Sequence, residues 1–142
     1  MPQVAARITH DQEKWLKEFF KTKSAGAEFI LPWAVDVFFR CIRNVSNEFS
    51  VAELKTILDA HKEVKLLPNQ SKQAYLQLRV EEACDERGVH IQHGASKSNL
   101  EVKLRRLSDL QATAVMIWAT AYWTSKSWNG VSVEDYVRLS CG

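Results

Sequence analysis

The sequence predicts a mainly α protein: an N-terminal β-strand followed by about seven helices, with the strand able to pair with its copy in an intermolecular two-stranded ribbon. Three observations carry this expectation. Only three prolines and five glycines punctuate 142 residues. Helix-start signals recur along the chain. The first residues alternate with a period of two, whereas the later segments repeat their apolar residues every three or four.

The opening stretch, residues 2–9, reads PQVAARIT. Val4, Ala6 and Ile8 point one way and Gln3, Ala5 and Arg7 the other, the alternation of a half-buried strand. A first helix over residues 9–21 starts at Thr9, with Gln12 three positions on as its capping partner. It gathers Trp15, Leu16, Phe19 and Phe20 on one face. A second helix, capped by Ser24 and running over residues 25–43, carries an apolar stripe of Phe29, Ile30, Trp33, Val37, Phe38 and Cys41. Pro32 falls beyond its first turn, where proline removes a backbone bond and favours a kink or restart.

A third helix, residues 50–61, is announced by Ser50 and Glu53 and packs Val51, Leu54, Ile57 and Leu58. The fourth, residues 71–87, turns Leu76, Val80, Ala83 and Cys84 inward and stops at Gly88, a natural left-handed position. The connection VHIQHGASKSN follows, and GVHIQ, residues 88–92 at its start, is the other plausible strand. A fifth helix over residues 100–107 places Leu100, Leu104 and Leu107 on one side. The sixth, residues 109–125, starts at Ser108 with Gln111 and is apolar nearly all round, so it belongs at the centre of the domain. A short last helix begins near Ser132.

With 46% apolar residues the chain can bury one respectable core. The expected organisation is an arm with two helices over residues 1–44 and a helical C-terminal part over residues 45–142 packed on it. Nineteen basic residues against seventeen acidic leave a net charge of only +2, so any attraction to nucleic acid or anionic lipid must be local. Three scattered cysteines suit a reducing compartment, and Met1-Pro2-Gln3 lacks the layout of a secretory signal, which points to the cytoplasm. The longest apolar run, residues 112–123, is too short for the roughly 20 residues of a membrane span, so no membrane association is expected.

A lone strand leaves its backbone groups unpaired, so a second copy of the chain is the natural completion of the sheet. The stretch QVAARIT, followed by a helix with WL and FF and then SAGAEFI, resembles a ribbon-helix-helix DNA-binding domain over about residues 2–44. The resemblance implies a homodimer and DNA as partner, with Gln3, Ala5 and Arg7 on the bases of the major groove. It also implies phosphate held on backbone amides at the start of the second helix, at Ser24, Ala25 and Gly26 with Lys23 close by. The function implied is a small transcriptional regulator or mobile-element protein. The alternative is an all-helical protein-interaction module without nucleic-acid binding, in which residues 1–8 are a tail and WLKEFF and FILPWAV are core helices.

Other constellations carry residue types capable of chemistry. His90 and His93 with Cys84 lack a fourth ligand and match no common zinc spacing, so no metal and no cofactor is expected. Cys84 with His90 or His93 as base would be a thiol nucleophile, but an inward position raises a thiol pKa and keeps it inert. The run EEACDE, residues 81–86, reads as a solvated face, and the chain is not expected to be an enzyme. Lys103, Arg105 and Arg106 precede a helix too apolar to lie in a groove. Trp118, Tyr122, Trp123 and Trp128 are candidates for a core or a protein-docking anchor, with Trp118 inside and Trp128 the one expected outside.

Overall fold

The computed structural model describes residues 9–20, 22–62 and 71–141. Among them there are eight α-helices and one 3₁₀ turn, and no strand. The expected strand-plus-seven-helices architecture is thereby corrected to an all-helical one. The segment proposed for the ribbon, residues 2–8, lies outside the described residues. Its suggested partner over residues 88–92 is not a strand either: Val89–His93 forms a short helix, α5. Gly88 and Gly94, with φ of 61° and 75°, bracket it in the left-handed region where a side chain would be strained. Two left-handed positions six residues apart reverse the chain twice, which a strand would not survive.

The chain divides into two compact units, residues 1–39 and residues 40–142, with the division inside the second helix. In the first unit, α1 (His10–Phe20) begins with reciprocal capping: the Thr9 amide donates to Gln12 Oε1 at 2.9 Å and the Gln12 amide to Thr9 Oγ1 at 3.2 Å. Lys17 and Glu13, one turn apart, add an ion pair at 3.0 Å. Helix α2 (Lys23–Glu48) starts two residues earlier than Ser24 capping would place it, because Thr22 takes the capping role. It also runs five residues past the expected end at Arg43. Pro32 does not divide it; the proline occupies an exposed position well inside the helix. Rings join the two helices, with Phe20 and Phe29 centroids 5.2 Å apart.

The second unit is built around α3 (Val51–Ala60), α4 (Lys72–Arg87), α5, α6 (Lys97–Arg105), α7 (Asp109–Thr124) and α8 (Val133–Cys141). Helix α3 packs against α4, α5 and α8, and α4 against α6 and α7. Leu54, Ile57, Leu58, Leu76, Val80, Leu100, Leu104, Val115, Met116 and Val137 are all buried, so the apolar spacings seen in the sequence do face one core. Removing this much apolar surface from water is the main term holding the unit together. Ser50 with Glu53 and Ser108 with Gln111 form complete capping boxes. Helix α7 is central but not buried on every side: Leu110 and Ile117 are exposed on it.

Buried polar groups are mostly paired. The Tyr136 hydroxyl donates to the Trp118 carbonyl at 2.6 Å, and its ring stacks on Trp118 with centroids 5.3 Å apart. Burial pushes this phenol up to about 12. The Trp118 indole donates to Ser140 Oγ at 2.8 Å, and that of Trp123 to the Leu58 carbonyl at 2.8 Å. The aromatic residues of the last third are thus tied into the unit. Trp128 is half-buried with its ring 4.7 Å from that of Tyr136, a correction to its expected place outside.

Candidate interaction site

Helix α2 carries an unusual distribution of side chains. A helix that is apolar all round belongs in an interior, and residues 29–39 read FILPWAVDVFF. Six of these form two stripes at helical spacing. Phe29, Trp33 and Val37 are 60%, 66% and 38% exposed; Leu31, Val35 and Phe39 are 42%, 43% and 60% exposed. Each set follows the i, i+4, i+8 rule that places side chains on one line. Of the stripe Phe29, Ile30, Trp33, Val37, Phe38 and Cys41 expected from the sequence, Cys41 is buried, Ile30 and Phe38 are half-buried, and Phe29, Trp33 and Val37 face solvent.

With aromatic side chains of about 200 Å² each, the three rings leave roughly 400 Å² open, and the three aliphatic residues bring the stripes to about 600 Å². The two stripes lie on opposite sides of α2, so each is a separate patch of about 300 Å², the lower end of the roughly 300–600 Å² typical of the largest apolar patch on a monomer. Trp15 on α1, 46% exposed, adds to the same unit's open apolar surface. No helix among the described residues is long and apolar enough to cross a membrane.

The residues suggested for DNA fare differently. Gln3, Ala5 and Arg7 lie outside the described residues. Lys23 opens α2, and Ser24, Ala25 and Gly26 sit in its first turn. The Ala25 amide donates to Thr22 Oγ1 at 3.1 Å and the Gly26 amide to the Thr22 carbonyl at 3.2 Å. Two of the three amides assigned to phosphate are therefore already engaged, and Gly26 is buried. Lys103, one of the three basic residues considered for groove contact, turns instead to the buried carboxylate of Glu53 at 2.5 Å.

The groups considered for catalysis are dispersed. Cys84 is buried, and burial pushes its thiol up, only partly countered by the His90 amide. His93 Nε2 meets Asp59 Oδ2 at 3.1 Å. In the acidic run, Glu81 accepts from Gln77 at 3.0 Å, Glu82 pairs with Arg79 at 3.5 Å and Asp85 with Lys97. No group of three or more His, Cys, Asp or Glu side chains is arranged to hold a metal among the described residues.

Sequence reasoning missed two further features. An open groove of about 340 Å³ lies against the ends of α3 and α4, lined by Lys62, Arg79, Glu82, Glu86 and Arg87 with Ala60 and Ala83. Its three cations face two carboxylates, so it has no strong preference for one sign of ligand. Next to it in sequence, His61 is fully buried; burial, with a smaller contribution from the Arg79 charge, lowers its pKa to about 4 against the pull of its hydrogen bond to the Ile57 carbonyl. Only its place after a helical apolar stripe hinted at burial. Set against protein-family models, curated proteins and solved structures, the chain matches none.

Proposed function

We propose that this chain is a helical protein-interaction module whose binding element is the apolar stretch of α2. The observation that carries the reading is the pair of exposed stripes, Phe29–Trp33–Val37 and Leu31–Val35–Phe39, about 300 Å² of apolar surface on each of two sides of one helix. An amphipathic or apolar helix presented in this way binds by laying its side chains into another protein's groove or against another helix. The large rings of Phe29, Trp33 and Phe39 supply the anchors of such a contact. Unit 40–142, with its own core and capped helices, is the carrier.

Residues 1–39 contain five basic and five acidic residues, so this unit has no net charge to draw it to a polyanion. The test uses the full chain and a Trp33→Lys/Phe39→Lys variant. The variant is expected to keep its helical circular dichroism while losing binding of an apolar-surface dye and every association the parent shows. If both properties survive the double substitution, the reading fails. Anisotropy of a labelled duplex DNA, expected flat from 50 to 200 mM salt, would overturn it in favour of nucleic acid if tight binding fell steeply with salt.

A further inference from the structure

We draw no further inference here: the strongest candidate, the open groove against the ends of α3 and α4, has its three cations already paired, Arg79 with Glu82 and both Lys62 and Arg87 with Asp59, and nothing in the structure shows what ligand it would hold.

Discussion

The buried imidazole of His61 makes the stability of unit 40–142 depend on pH in a calculable way. Nδ1 donates to the Ile57 carbonyl at 2.7 Å, and Nε2 is buried with no partner. In the folded chain this histidine stays neutral until pH falls to about 4; in the unfolded chain it takes a proton near its ordinary 6.5. Below 6.5 the unfolded state thus binds the extra proton, and stability falls as pH falls through the window from 6.5 to 4. The shift of about 2.5 pH units corresponds to about 2 kcal/mol lost between pH 7.5 and 5, and about 3 kcal/mol by pH 4.

The perturbation is His61→Leu, which removes the titrating group and fills similar space. At pH 7.5 the leucine loses the hydrogen bond to Ile57 and relieves the unpaired Nε2, two effects of about 1 kcal/mol each and opposite sign. Urea unfolding followed by tryptophan fluorescence, repeated at pH 7.5, 6, 5 and 4.5, measures both proteins. Glu134, whose carboxyl Arg138 and Lys55 hold below its ordinary value, is present in both proteins, so its contribution cancels in the difference. The parent is expected to lose about 2 kcal/mol more than the variant between pH 7.5 and 5. Equal losses would refute the assignment of His61 as a buried neutral base.

Three further outcomes are expected. Leu100→Ala, at a fully buried position on α6, should cost about 2–5 kcal/mol in the same urea assay. Glu53→Gln keeps a side chain that can cap Ser50 but removes the charge facing Lys103, and should cost about 1–3 kcal/mol, while Lys103→Met, which leaves the buried carboxylate without its cation, should cost at least as much. Cys84, with its thiol pushed up and buried, should react with a disulfide reagent at pH 8 at least about tenfold more slowly in the native chain than in urea, read by mass spectrometry of the labelled peptide.

Much of the helical framework was legible. Thr9 with Gln12, Ser50 with Glu53 and Ser108 with Gln111 are local signals, complete within four residues, and each forms both of its hydrogen bonds. Gly88 ends α4 as its position suggested. What escaped reading depends on information that is not local. Val89 and Ile91 alternate as a strand would, yet the left-handed glycines at either side leave room only for a single turn of helix. Thr22 caps α2, whereas Ser24, nearer to the apolar run, is the stronger signal in the sequence. The exposed apolar stretch itself stands out as FILPWAVDVFF, but periodicity reports that a face is apolar and not whether its cover comes from the same chain. The outward placement of Phe29, Trp33 and Val37 could only be seen once the fold was in hand.

The start of α4 is held from far away. Asp109, in the first turn of α7, accepts hydrogen bonds from the Ser71 hydroxyl at 3.0 Å, the Lys72 amide at 3.1 Å and the Gln73 amide at 3.0 Å. These bonds draw its carboxyl below the ordinary range. Most helices carry their own starting clamp; this one borrows part of it from a residue 36 to 38 positions downstream. On a ribosome, therefore, the first turn of α4 emerges without its full set of acceptors and gains them only after α7 has been synthesised, so that the middle of the protein is sealed from its far end.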